Sequence, residues 1–352
     1  MSTVHHLVLG PPEHGVTRHA LGLLARPELA AHGRTHVRDW QDLGPAPAYP
    51  RLPEARLTHA HVTDRIVGHG PEQAAERLLD LAARRRLSVT LHDVPQPAEG
   101  TVFGRRATAY AAMAGAAAGV VVASRHERDL LAACGADPSR VVVVPLPIDP
   151  LPPPVDPLPD GQPRGAAGDG PGGEPVVAVL GYLYPGKGHA EALAALASLP
   201  PEVSLVALGR ASDGHDDLVA QLTAEAAAQG RRFTVTGWLP DEEMTRRLRE
   251  VTVPVAPHRH VSASGSIGSW LAAGRRPVVA DGAWVRELLD RCPGSVLLVG
   301  EGEDAAYPTL EAAVRACLAD PTLTWLPPGV VPGPDSAAVA RAYDEVLRGW
   351  AR

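Results

Sequence analysis

The sequence predicts an α/β protein built from two doubly wound domains, and three observations carry that expectation. Short apolar runs alternate with helical stretches along almost the whole chain. The runs are apolar on both faces, as strands covered by helices on either side must be. A segment unable to build a core interrupts the alternation near the middle, and 352 residues exceed what one hydrophobic core usually organises.

The first half reads LVLG (7–10), the helical GVTRHALGLLAR, then LTHAHV, PEQAAERLLDLAARRR, SVTLH, GRRATAYAAMAGAAA, GVVVAS, RHERDLLAACG and VVVVP. This is the βαβ rhythm of a parallel sheet. Between residues 150 and 173, 14 of 24 residues are Pro or Gly, which makes the stretch a linker. The rhythm resumes with VVAVLG, KGHAEALAALASL, VSLVALG, DLVAQLTAEAAAQ, FTVTG, DEEMTRRLREV, VPVAP, SIGSWLAAG, PVVAD, WVRELLD, SVLLVG and DAAYPTLEAAVRACLA. A closing helix is predicted over 336–350, able to pack back across either domain. The expected division is a domain over 1–149, the linker over 150–173, a second domain over 174–334, and the helical tail over 335–352.

Composition narrows the function classes. A net charge of -7 argues against a general nucleic-acid surface. Cys134, Cys292 and Cys317 are far apart and suggest neither a disulfide framework nor a cysteine metal site. The start, MSTVHHLVLGPPEHG, has no basic leader, and the longest uncharged stretch, Thr108 to Ser124, is too weakly apolar to span a membrane. A cytoplasmic protein is expected.

Of the 33 basic residues 32 are arginine, and asparagine is absent, as a GC-rich genome would produce. Such pressure replaces Lys by Arg wherever a generic charge is enough, so the single lysine, Lys187, marks a place where a compact ammonium is needed.

Ligands of open α/β sheets gather beyond the carboxyl ends of the strands, where helix N-termini attract anions. The richest such junction is VVAVLGYLYPGKGHAEALAAL: a strand ending at Gly181, a loop with Gly186, Lys187 and Gly188, then a helix. Gly181 to Lys187 spells the opening of a P-loop, but Gly188 stands where the magnesium-binding Ser or Thr belongs, which weakens an ATPase reading. The loop reads either as a turn with a solvated lysine or as a diphosphate cradle without a metal. A second junction places Ser264, Gly265 and Ser266 at a helix start, as a cap or as the other wall of a nucleotide site.

In the first domain, Gly15 follows the first strand with His14 before it, and can admit a ligand close to the backbone. His92 and Asp93 follow the strand SVTLH; His92 is either a satisfied buried histidine or a group that meets a substrate hydroxyl. His59 and His61 share one face of a strand, and His258 with His260 repeats the spacing. With no further ligands nearby in sequence, no metal site is expected from either pair.

With these residues in hand, the chain resembles the retaining glycosyltransferases of the GT-B fold, and in particular glycosyltransferase family 4. The resemblance spans nearly the whole chain through GPPEHGVTRHA, VTLHDVPQ, GVVVASRHERDLLAACGADPSRVVVVPLPID, GYLYPGKGHAEALAAL and FTVTGWLPDEEMTRRLREVTVPVAPH. It implies two Rossmann-like domains facing across a cleft, with the acceptor bound mainly by the first and a nucleoside-diphosphate sugar by the second. It further implies hexose transfer to a hydroxyl with retention and no obligatory metal or other cofactor. Carried over, Lys187 holds the diphosphate, Gly15 approaches it, and His92 contacts the transferring sugar, with His14 and Asp93 toward the acceptor.

Two departures stand out. The family usually carries two glutamates in an E-x7-E arrangement before an A-x-G segment; aligned on Ala272 to Gly274, those places hold Val261 and Ser269. After Gly181 the family often has Arg, and here Tyr182 stands. The rivals to a transferase are therefore a non-catalytic nucleotide-sugar-binding protein and a sugar-nucleotide epimerase of the same fold.

Overall fold

A computed structural model describes residues 3–44, 46, 49–152, 173–258 and 260–352. The chain divides into two compact units, Met1–Pro147 with Pro334–Arg352, and Ile148–Gly333. Residues 153–172 of the expected linker lie outside the described residues.

The first unit is a six-stranded sheet of β1 (Val4–Leu9), β2 (Gly33–Val37), β3 (Leu57–Val62), β4 (Leu87–Leu91), β5 (Val120–Val122) and β6 (Val141–Val143). All pairs are parallel, in the order β2-β1-β3-β4-β5-β6. Its helices are α1 (Gly15–Leu24), α2 (Asp64–Val67), α3 (Pro71–Ala82), α4 (Phe103–Ala116) and α5 (Arg125–Ala133). Leu7, Leu9, Ala60, Val62, Val89 and Leu91 bury one sheet face against Leu78, Leu81, Tyr110 and Met113 of α3 and α4. The opposite residues Val4, Val8 and Val121 meet Ala20, Leu23 and Leu24 of α1, as the alternation of side chains across a strand requires.

The closing helix, Ser336–Trp350, belongs to this first unit and packs Val339, Ala340, Tyr343 and Leu347 into the same layer as α1. Asp335 caps it by accepting from the N–H of Ala338 at 2.7 Å. A Cβ on Gly119 would fall 2.2 Å from the Trp350 ring, so only glycine admits the indole there. The edge strand β2 was not foreseen from the sequence. Its residues alternate between partly buried and exposed until Val37, and Arg34, Thr35 and His36 hide the apolar signal.

The second unit holds β7 (Val176–Leu180), β8 (Ser204–Leu208), β9 (Phe233–Val235), β10 (Val253–Ala256), β11 (Val278–Ala280) and β12 (Leu297–Val299). The order is β12-β11-β10-β7-β8-β9, again wholly parallel. It is flanked by α6 (His189–Leu196), α7 (Asp216–Ala228), α8 (Asp241–Glu250), α9 (Gly265–Ala272), α10 (Ala283–Arg291) and α11 (Leu310–Ala319). This is the strand order of a Rossmann sheet, with the winding direction reversing between β7 and β10.

A fully buried arginine ties this unit together. Arg275, directly after the helix-ending Gly274, donates to the carbonyls of Leu248, Arg249, Val251, Thr252 and Thr324 and stacks 4.4 Å from the Trp325 ring centroid. Among the described residues, no helix is long and apolar enough to cross a membrane.

Candidate functional site

The reversal between β7 and β10 opens a crevice at the strand ends, and the loops that follow these two strands form its walls. After β7 the chain turns through Gly181 (φ 114), Gly186 (φ 88) and Gly188 (φ 101), conformations that favour glycine. Gly188 caps α6, and a Cβ there would lie 2.5 Å from Cγ of Pro257 in the loop after β10. The missing side chain is what lets the two loops touch.

Lys187 lies back along Gly181, whose hypothetical Cβ would stand 3.2 Å from the lysine Cε. Its Nζ donates to Ser266 Oγ at 3.1 Å, and Ser266 Oγ is 3.1 Å from Ser264 Oγ. Ser264 in turn caps α9 by accepting from the N–H of Ile267 at 3.2 Å. The structure therefore brings Gly186, Lys187, Gly188, Ser264, Gly265 and Ser266 to one crevice.

Only 8% of Lys187 is exposed, and it pairs with no carboxylate among the described residues. Burial pushes its ammonium down to about 8. A buried cation without a counterion is costly unless an anion joins it, and the adjoining start of α6 adds partial positive charge. The arrangement has the chemistry to take an anion.

Sequence reasoning did not connect three neighbours with Lys187. His189, the first residue of α6, and His258, past the end of β10, are buried, and burial with the Lys187 charge pushes both down to about 3. Both ring nitrogens of His189 and Nδ1 of His258 have no protein partner. Beside the loop, Arg210 places its guanidinium 5.1 Å from the Tyr182 ring centroid while bonding Asp213 at 2.8 Å. A cation thus reaches Tyr182 from the end of β8. Only the KGH run hinted at any of this.

Neither of the two replaced glutamate positions supplies a carboxylate. Val261 is buried in an apolar cluster with Ile267 and Leu271, and Ser269 Oγ donates to the Gly265 carbonyl of its own helix at 2.9 Å.

In the first unit the comparable reversal lies between β1 and β3. His14 is the N-cap of α1, its Nδ1 accepting from the N–H of Val16 at 3.3 Å. Gly15 opens the helix with an ordinary φ, and a Cβ there would meet nothing within 4 Å. The glycine under tight packing is Gly10 (φ 94), whose Cβ would fall 2.8 Å from Thr17 Oγ1.

His92 follows β4, donating its N–H to the Val62 carbonyl at 2.9 Å and accepting from the Tyr110 hydroxyl at 3.1 Å. Its Nε2 is buried without a partner, and burial among other imidazoles holds it well below the ordinary histidine range. Asp93 has the left-handed φ of 55, and its largely exposed carboxylate pairs with Arg106 at 3.1 Å.

The expectation that His59 and His61 lack further ligands is corrected by the fold. Parallel register sets His6 beside His59, and α1 and β4 bring His19 and His92 to His61. These residues come from separate elements, so no local spacing could announce them. His258 and His260 do not match that pattern: the first is buried and the second exposed.

Two Rossmann-like units of this kind define the class. The chain has the GT-B fold, and solved structures of that fold match it from end to end. No family model matches the sequence, and no curated protein matches it. Anabaena HepE, solved with UDP and glucose, has a TM-score of 0.67 at 17% identity, over 100% of this chain and 97% of its own. Sucrose-phosphate synthase from Thermosynechococcus elongatus gives 0.64 at 16% identity, over 99% and 96% of the two chains. AviGT4, a glycosyltransferase involved in avilamycin A biosynthesis, gives 0.54 at 16%, over 100% and 98%.

Proposed function

We propose that the protein is a family 4-like glycosyltransferase that moves a hexose from a nucleoside-diphosphate sugar to a hydroxyl acceptor, with retention and without a metal at the phosphates. The observation that carries this reading is the buried Lys187, with no carboxylate partner among the described residues, bonded to Ser266 at a Rossmann switch point. The similar HepE binds UDP and UDP-glucose, which supports a uridine nucleotide as the first donor to try. As the glycosidic bond to the donor breaks, negative charge gathers on the leaving diphosphate. The Lys187 ammonium and the N–H groups opening α6 stabilise it.

In this reading Gly186 and Gly188 let the phosphates approach the backbone, and Ser264, Gly265 and Ser266 supply further donors. Gly15 leaves room beside the phosphates, His92 contacts the transferring sugar, and His14 and Asp93 lie toward the acceptor.

The buried Val261 and the helix-bonded Ser269 favour a second reading, a binding protein that holds a nucleotide sugar without turning it over. Calorimetry against UDP-, GDP- and ADP-sugars, followed by NMR of donor consumption with and without candidate acceptors, separates the two. Binding with acceptor-dependent turnover is expected. Binding without turnover moves the protein to the second reading, conversion of donor alone to a stereoisomer makes it an epimerase, and no binding overturns the site.

A further inference from the structure

Three imidazoles from three elements of the first unit converge at its own switch point: His19 of α1, His61 of β3 and His92 just past β4. Each offers a ring nitrogen, and these nitrogens lie within 4.8 Å of one another. The ring centroids are 5.9 Å apart for His19 and His61, 5.8 Å for His61 and His92, and 5.6 Å for His19 and His92.

His61 is fully buried, yet neither of its ring nitrogens has a partner, and the buried Nε2 of His92 has none either. Buried polar atoms in folded proteins are nearly always satisfied, so such a concentration calls for a ligand. The adjacent His59 provides the contrast. Its Nδ1 and Nε2 bond Ser88 and Thr90 hydroxyls, each at 2.9 Å, which leaves that imidazole no nitrogen to offer without breaking a bond.

We propose that His19, His61 and His92 form a three-imidazole site for a divalent transition-metal ion, Zn²⁺ by preference, with water at a fourth position. Nitrogen-only ligation suits Zn²⁺ and its neighbours and disfavours Mg²⁺ and Ca²⁺, which take oxygen. Burial keeps all three rings in the neutral form that ligates metal. With metal–nitrogen bonds of about 2.0 Å, tetrahedral ligand atoms stand about 3.3 Å apart, so side-chain rotations that close the gaps by at most about 1.5 Å complete the site.

The ion clamps α1 to the ends of β3 and β4. It occupies one nitrogen of His92 and leaves the other for a substrate. The site stands on the first unit alone and does not depend on glycosyl transfer.

The test uses the full-length chain, stripped with chelator and titrated with Zn²⁺ against a chromophoric competitor. Co²⁺ in parallel reports geometry through its visible absorption. Wild type is expected to hold one ion per chain, melt at higher temperature with it, and give tetrahedral Co²⁺ bands. His61→Gln and His19→Gln should each weaken binding roughly tenfold or more and lose those bands. His59→Gln should bind as wild type.

Circular dichroism of each metal-free variant reports whether it is folded, and UDP binding in the same samples tests the phosphate site proposed for the second unit, so failure of that reading is distinguishable from failure of this one. If His61→Gln does not fold, His19→Gln on the half-buried face of α1 carries the test. Failure of wild type to retain an ion against the competitor, or retention by His61→Gln and His19→Gln equal to that of wild type, overturns the proposal.

Discussion

Lys187 and Ser266, 79 residues apart in sequence, meet at 3.1 Å between Nζ and Oγ. The bond joins the loop after β7 to the first turn of α9, which are neighbours only because β7 and β10 pair in the sheet. A lone lysine and a serine-rich helix start thereby become one cluster of donors.

Replacing Lys187 by Met should therefore lower turnover of a nucleotide-sugar donor by roughly 10²-fold or more, the scale on which a preorganised charge stabilises a developing anion. The fold should persist, because the substitution removes a buried, unpaired cation. Single-turnover donor consumption and a melting curve check the two halves. Activity within a few-fold of wild type would remove Lys187 from the phosphate role.

The same lysine predicts a pH dependence. Its value in the folded protein, about 8, lies below the ordinary 10.5. The ammonium is intact below that value and is lost as pH rises through it. Diphosphate affinity measured by calorimetry should fall across this range in wild type and stay nearly flat in Lys187→Met. For stability the sign reverses. Between about 8 and 10.5 the unfolded chain holds the proton that the folded chain has released, so the contribution of this group grows as pH rises.

Gly188 and Gly186 should respond differently to alanine. Both have positive φ, but a Cβ on Gly188 meets Pro257 at 2.5 Å while one on Gly186 meets nothing within 4 Å. Gly186→Ala should cost about 1 kcal/mol from backbone strain alone. Gly188→Ala should cost about 2 kcal/mol or more and weaken nucleotide binding as the two loops part. Denaturant midpoints and calorimetry distinguish them; equal losses would show that the Pro257 contact is unimportant.

Arg275→Leu should destabilise the second unit by about 3–5 kcal/mol, because five carbonyls lose a donor at once, that of Thr324 keeping only the Arg276 N–H. Thermal unfolding of the variant, with the melting of the first unit followed separately, is the measurement. A midpoint unchanged from wild type would mean that water or local repacking satisfies those carbonyls.

His92→Ala should lower turnover more than it changes UDP affinity, since its place past β4 is in the unit that does not hold Lys187. Parallel kinetic and binding titrations check this. An unchanged rate would leave His92 as a packed histidine.

How much of this was legible beforehand follows from what each signal requires. Strands such as Val120–Val122 and Val176–Leu180 are apolar over consecutive residues because both faces are covered, and that pattern survives in one dimension. The edge strand Gly33–Val37 has no such cover and left no pattern. Lys187 was visible because it is the only lysine, and the serines at 264 and 266 because they open a helix.

The sequence by itself determined the α/β class, the two sheets and the loop that holds Lys187, all of which rest on local periodicity and composition. Tertiary structure alone decided three other things: that Lys187 reaches Ser266, that Val261 is buried in apolar packing, and that His19, His61 and His92 converge. Parallel strands are joined by long crossovers, so the residues that meet at their ends come from distant parts of the chain. Strand order and register, which sequence spacing does not encode, determine which of them meet.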